Sequence, residues 1–239
     1  MCCPPAKRLA YAPRSRDRTL SPHAQINGGW GVDFATPGPE LSSGLRRVAR
    51  RLLAHGVTSF LPTVITSSID AYRAILPEIV PTSGSTDGAA VLGVHLEGPF
   101  ISTSKPGCHP KEHIVEPDGR ADALRRACGE NLAHVRLVTF APELPHAEAL
   151  VSELLSLGVV SSAGHSNATA SQMEAALGWG VRMCTHLFNA MPPFHPREPG
   201  IVGILGSTFE PRPFFGLIAD GVHVSIHTTR TSDAPTSWC

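Results

Sequence analysis

The sequence predicts an α/β protein with a parallel sheet covered by helices. Three observations carry that prediction. Short apolar runs rich in Val, Ile and Phe recur along the 239 residues, and near-continuous runs of that length read as strands buried on both faces. Segments with apolar residues at helical spacing lie between them. Polar residues gather just past the ends of the runs, where α/β folds place their chemistry.

The elements follow in order. A first strand ends at Gln25-Ile26-Asn27. Leu41, Leu45, Val48, Leu52 and Leu53 share one helical face, and Gly56 suits the C-cap. Strands are expected at Thr58–Thr66, Val91–Leu96, Val135–Phe140, Val159–Ala163, Val181–Thr185 and Phe214–Ala219. Leu150, Leu154, Leu155 and Leu157 form a helical face before Gly158, and Ala170–Leu177 forms another, with Ser166 or Asn167 as N-cap. Two architectures share this pattern, an eight-stranded (β/α) barrel and an open doubly wound sheet. No GxGxxG or GxxxxGK[ST] follows any strand, so the nucleotide-binding version has no support. Seven strands are expected, so a barrel would be one strand short. The expected boundaries are an irregular leader at 1–24, a partial barrel at 25–224 and an unpatterned tail at 225–239.

Composition excludes several classes. Twenty basic residues balance twenty acidic ones, so no global charge is available to hold a nucleic acid. No apolar run reaches the ~20 residues of a spanning helix, and the proline-rich start lacks the apolar core of a signal peptide. The cysteines at 2, 3, 108, 128, 184 and 239 form no CxxC pair, which argues for reduced thiols in a cytoplasmic protein.

Glu97, His165 and His186 each lie just past an apolar run, on three strands of one sheet. One carboxylate and two imidazoles with an open position is the ligand set of a catalytic zinc, and equally of a non-haem ferrous site. The bland reading is a solvated glutamate and two capping histidines. His109 sits on a Gly/Pro-rich loop, and Arg197 stands in HPREPG between prolines, where it could clamp a phosphate or simply be solvated. His95 shares a strand face with Glu97 and reads as a packed core histidine.

Six motifs in collinear order, HLEGPFIS (95–102), GCHP (107–110), GHS (164–166), THLFNAM (185–191), REPGIVG (197–203) and IADGVHV (218–224), resemble the N-acetylglucosamine-6-phosphate deacetylase family of the amidohydrolase superfamily. The resemblance implies a TIM-like (β/α) barrel of the metal-dependent amidohydrolase type. It implies hydrolysis of N-acetylglucosamine 6-phosphate to glucosamine 6-phosphate and acetate, in the cytosol. The family's ligands for one divalent ion, expected to be zinc, fall on Glu97, His165 and His186. Its substrate contacts fall on Cys108, His109, Asn189, Ala190, Arg197, Asp220 and His223, with His109 polarising the carbonyl. Arg197 would reach the phosphate held by a neighbouring subunit, which implies a homodimer. Gln25-Ile26-Asn27 stands where many amidohydrolases carry an HxH pair for a second metal, and so resembles the one-metal arrangement. The family's proton-carrying Asp on strand eight has no counterpart, since Asp233 lies in the unpatterned tail. The chain therefore reads as an alternative or incomplete form of the enzyme, with low activity expected. The alternative is an inactive homologue that binds metal and sugar phosphate.

Overall fold

A computed structural model describes residues 9–10 and 21–232. Seven strands in a row, with the short Ala90–Val91 strand beside the second, build the main sheet: β1 (Ser21–Ile26), β2 (Val57–Ile65), β3 (Val94–Glu97), β4 (Val135–Phe140), β5 (Val160–Ala163), β6 (Met183–Cys184) and β7 (Phe214–Phe215). Six helices accompany them: α1 (Leu41–Leu53), α2 (Ile69–Ile75), α3 (Ala123–Cys128), α4 (Ala147–Ser156), α5 (Ala170–Trp179) and α6 (Ile226–Ser232).

The sheet runs β7-β6-β5-β4-β3-β2-β1, with every neighbouring pair parallel. Spatial order equals chain order and never reverses. A doubly wound sheet requires a reversal, so the seven strands curl as part of a (β/α) barrel. Among the described residues β1 and β7 do not pair with each other.

Packing divides the strand residues into two sets. Phe60, Val138 and Cys184 join helix residues such as Leu45, Val48 and Leu150 in the outer core. Their chain neighbours Leu61, Leu137 and Met183 point the other way and form a second, interior cluster. Two residues further still, on the same interior face, come Thr63, Thr139 and Thr185, all buried. The barrel interior thus has an apolar floor and a polar layer above it. The polar layer leads to the C-terminal strand ends.

Several expectations are corrected. The leader is not irregular throughout: Ser21–Ala24 belong to β1, and Leu9–Ala10 pair antiparallel with Leu217–Ile218. Pro22 conceals this strand, yet an edge strand tolerates proline. The Val91–Leu96 run breaks at Gly93, whose φ is 142°, leaving Ala90–Val91 beside β2 and Val94–Glu97 as β3. The N-cap of α5 is Thr169, which forms a capping box with Gln172. Ser166 and Asn167 are engaged elsewhere, with Glu143. The tail carries α6, where Ser225 Oγ accepts from the Thr228 N–H at 3.2 Å as an N-cap does. Its Thr-rich sequence hides any apolar period. Asp233 lies outside the described residues.

Candidate metal centre

Glu97 closes β3, while His165 and His186 sit two residues beyond the last residues of β5 and β6. Both histidines adopt left-handed backbone, with φ of 50° and 35°. Such strain costs on the order of 1–3 kcal/mol per residue and marks sites where geometry is imposed. Here it turns both imidazoles toward the Glu97 carboxylate. His186 Nε2 lies 3.0 Å from Glu97 Oε1, and His165 Nε2 lies 3.3 Å from the same oxygen. The two Nε2 atoms are 2.9 Å apart, and all three side chains are buried.

Proton bookkeeping shows what this cluster needs. His165 Nδ1 is 2.8 Å from the Lys105 carbonyl oxygen. A carbonyl only accepts, so Nδ1 carries a proton, and in the tautomer with one ring proton Nε2 presents a lone pair. That lone pair faces a carboxylate oxygen and a second imidazole nitrogen. Two imidazole nitrogens and a carboxylate oxygen converge within 3.3 Å of one another, an arrangement that a cation satisfies. One carboxylate and two imidazoles is also a donor set suited to zinc or ferrous iron. The residues therefore fit a divalent ion.

Burial alone would raise the Glu97 pKa. Contacts with His109, His165 and His186 outweigh it and hold the carboxyl well below the usual range. Burial lowers the pKa of His186 and of His109, keeping both rings neutral. Gln25, at the end of β1, directs its amide N–H to Glu97 Oε1. It adds a hydrogen bond there rather than another metal donor.

His109 is only 4% exposed, although it stands on a Gly/Pro-rich loop. Its Nδ1 accepts from the Thr66 backbone N–H at 3.3 Å and lies 2.9 Å from Thr66 Oγ1. The proton is therefore on Nε2, which stands 3.5 Å from Glu97 Oε2 and makes no hydrogen bond. A neutral N–H donor is thus aimed into the site.

Beneath the cluster runs a buried chain of hydroxyls. Thr63 Oγ1 is 3.2 Å from His95 Nδ1, and His95 Nε2 is 2.7 Å from Thr139 Oγ1. Thr185 Oγ1 continues at 2.7 Å from Thr139 and 2.6 Å from Ser162. His95 is thus buried, as expected, but among hydroxyls rather than apolar neighbours. Burial pushes its pKa down to about 4.

A cavity of about 210 Å³ opens above these groups. Cys108, His109, Asn189, Ala190 and His223 line it with Glu97, His165 and His186, so eight of the ten residues singled out in the sequence meet there. Arg197 and Asp220 do not line it. Arg197 is exposed on the loop after Met191. Asp220 accepts from the backbone N–H groups of Val222 and His223 and from His223 Nδ1 at 2.6 Å. Sequence reasoning missed Thr66, Ile218 and the hydrogen bonds of Glu143 to Ser166 and Asn167. A threonine at the very end of a strand run is the one signal that could have flagged Thr66.

A sequence model of the Amidohydrolase family matches residues 21–237. The chain belongs to the amidohydrolase family. Among curated relatives, the N-acetylglucosamine-6-phosphate deacetylase of Bos taurus is 50% identical over 206 residues, 84% of this chain and 50% of the relative. That of Homo sapiens is 47% identical over 216 residues, 87% of this chain and 52% of the relative. Solved deacetylases agree in fold. The Pasteurella multocida enzyme aligns with a TM-score of 0.73 at 28% identity, covering 95% of this chain and 55% of that one. A mutant Mycobacterium smegmatis enzyme, solved with N-acetyl-D-glucosamine-6-phosphate, aligns with a TM-score of 0.72 at 28% identity, covering 94% and 54%. The amidohydrolase barrel expected from the motifs is borne out. The chain spans about half the length of the curated relatives it matches.

Proposed function

We propose that this amidohydrolase carries the metal- and substrate-binding half of an N-acetylglucosamine-6-phosphate deacetylase, an enzyme of amino-sugar metabolism. The observation behind the reading is the convergence of His165 and His186 Nε2 on Glu97 Oε1, with the His109 N–H entering the same cavity. Glu97, His165 and His186 hold one divalent ion, proposed to be zinc. When bound, that ion supplies Lewis acidity toward an amide carbonyl and a water. His109 donates its Nε2 proton in a hydrogen bond to the carbonyl oxygen as charge develops there. Cys108, Asn189, Ala190 and His223 contact the sugar phosphate. Arg197, exposed on its loop, reaches the phosphate in a partner subunit of a homodimer. Among the described residues no helix is long and apolar enough to cross a membrane, and a cytoplasmic location follows from the pathway proposed.

Amide hydrolysis also needs a group to move a proton from water to the leaving amine. Glu97 is the only carboxylate lining the cavity among the described residues, and it is engaged as a ligand. That observation favours a second reading, in which this chain alone binds metal and sugar phosphate without turnover. Losing a general base costs roughly 10²–10⁴-fold. The test is acetate release from N-acetylglucosamine 6-phosphate by the zinc-loaded chain, beside Glu97→Ala and a calorimetric binding titration. Turnover lost in Glu97→Ala supports the deacetylase. Binding without turnover supports the second reading, and neither binding nor turnover overturns both.

A further inference from the structure

Glu143 follows β4 and belongs to neither the metal cluster nor the cavity lining. Its carboxylate nevertheless meets the loop that carries His165. Oε2 accepts from Ser166 Oγ at 2.5 Å, and Oε1 accepts from the Asn167 backbone N–H at 2.6 Å. These are the two residues directly after His165, whose backbone is left-handed with φ of 50°.

The same loop is tied to its neighbours on two more sides. The Ser166 N–H donates to the Ala190 carbonyl at 3.1 Å, and the Ser102 N–H donates to the His165 carbonyl at 2.9 Å. His165 Nδ1–H donates to the Lys105 carbonyl at 2.8 Å. Asn167 Nδ2 donates to Ser102 Oγ at 3.2 Å, and to Ser104 Oγ. Residues 102–109, which carry Cys108 and His109, and residues 164–167 therefore form one hydrogen-bonded unit. Among the described residues Glu143 binds this unit from the β4 side, taking the Ser166 Oγ–H and the Asn167 backbone N–H.

We propose that Glu143 is a positioning residue for this unit. It holds Ser166 and Asn167 so that His165 keeps its left-handed backbone and its Nε2 stays on the Glu97 carboxylate. Through the His165–Lys105 and His165–Ser102 bonds it also fixes the loop that presents Cys108 and His109. Glu143 touches neither metal nor substrate and acts through the other residues. The metal part of this inference rests on the function proposed above. The loop part does not.

The experiment compares Glu143→Ala, Glu143→Gln and Ser166→Ala with the parent chain. Two readouts are taken, Zn²⁺ affinity by competition with a chromogenic chelator and amide exchange of the metal-free chains. Removing a partner of a metal ligand typically costs about 10–100-fold in affinity, and Glu143→Ala is expected to lose that much. Glu143→Gln can accept from Asn167 N–H and donate to Ser166 Oγ, and is expected to stay within about threefold of the parent by that measure. In the metal-free chains, Ser102 and Ser166 amides should exchange faster in Glu143→Ala but not in Glu143→Gln. Rescue by glutamine separates positioning from a general loss of stability. If Glu143→Ala fails to fold, Ser166→Ala, which removes one of the two donors, is read in its place. Unchanged exchange and unchanged affinity in a folded Glu143→Ala or Ser166→Ala overturn the proposal. A parent chain that binds no Zn²⁺ overturns the proposed function, while the exchange data still decide whether Glu143 holds the loop.

Discussion

Gly98, immediately after Glu97, offers a test of how tightly His109 is seated. Its φ is 89°, and a Cβ added there would lie 2.2 Å from Thr66 Oγ1. Thr66 is the residue that holds His109 Nδ1. Gly98→Ala therefore meets two separate penalties. The left-handed backbone costs an L side chain about 1–2 kcal/mol. The overlap with Thr66 Oγ1 forces a shift worth roughly 1–3 kcal/mol, the usual range for overpacking. The sum is about 2–5 kcal/mol, or a melting temperature lower by roughly 4–20 °C for a chain of this size. Thr66→Ala alone loses hydroxyl contacts with His109 and with the Glu97 carbonyl, at about 1 kcal/mol. In the double variant the atom at 2.2 Å is gone and the next Thr66 atom, Cβ at 3.5 Å, makes an ordinary contact. The double variant should be less destabilised than the two singles added together, by about 1–3 kcal/mol. Urea unfolding of the parent, both singles and the double closes the cycle. Additivity within about 0.5 kcal/mol would refute the overlap, and a Gly98→Ala chain as stable as the parent would refute the whole account.

Other outcomes follow from the same geometry. A ligand at about 100 times its Kd adds about 2.7 kcal/mol, so Zn²⁺ should raise the melting temperature by roughly 5–11 °C. A chelator should remove that gain, and His165→Ala or His186→Ala should abolish it; a parent indifferent to chelation sinks the metal site. Thr139→Val leaves His95 Nε2 without its 2.7 Å partner and should cost about 1–3 kcal/mol in urea unfolding. A neutral result would mean that another group serves His95. Burial pushes the Cys128 and Cys184 thiols up, whereas Cys108 is exposed. Iodoacetamide should label Cys108 well before the other two in native chain, read by peptide mass spectrometry. N-acetylglucosamine 6-phosphate should slow that labelling, and equal labelling of all three cysteines would contradict the burial.

What the sequence reveals depends on how local the cause is. Most strands are legible because they contain a near-continuous apolar run, whereas Pro22 conceals the start of β1. α1 was legible because Leu41 to Leu53 keep one face apolar over thirteen residues. α2 and α3, with seven and six residues, are too short for a period to stand out. Glu97, His165 and His186 could be picked out because they follow apolar runs, and the barrel brings strand ends together. The burial of His109 could not, because Thr66, 43 residues away in the chain, creates it. Nor could the threonines around His95 be read, since strand register decides them: Thr63 stands opposite His95 across the β2–β3 pair. The Glu143 anchor is equally non-local. Its partners lie on the far side of β5, beyond the whole of α4.

The roles of Asp220 and His223 turn on the direction of one hydrogen bond. The backbone N–H of His223, with help from the His223 ring and the Val222 N–H, pushes the Asp220 pKa down to about 2. A general base works best when its pKa lies near the operating pH, so a carboxylate this weakly basic is a poor carrier for the water proton. Its geometry suits another task. Asp220 Oδ2 accepts a hydrogen bond from His223 Nδ1–H at 2.6 Å, and with that one ring proton His223 Nε2 is the acceptor on a ring that lines the cavity. Asp220→Asn keeps a carbonyl oxygen for the backbone N–H groups. It also places an amide N–H against Nδ1, which moves the ring proton to Nε2. An acceptor in the cavity becomes a donor, and sugar-phosphate affinity should fall by about tenfold, the worth of one hydrogen bond. Zn²⁺ affinity should not change, because Asp220 touches none of the three ligands. Calorimetry of N-acetylglucosamine 6-phosphate binding to the zinc-loaded variant measures the first quantity, and chelator competition the second. Unchanged sugar-phosphate affinity would break the link between Asp220 and His223. A kcat loss of about 10² or more with binding intact would make Asp220 the proton carrier after all.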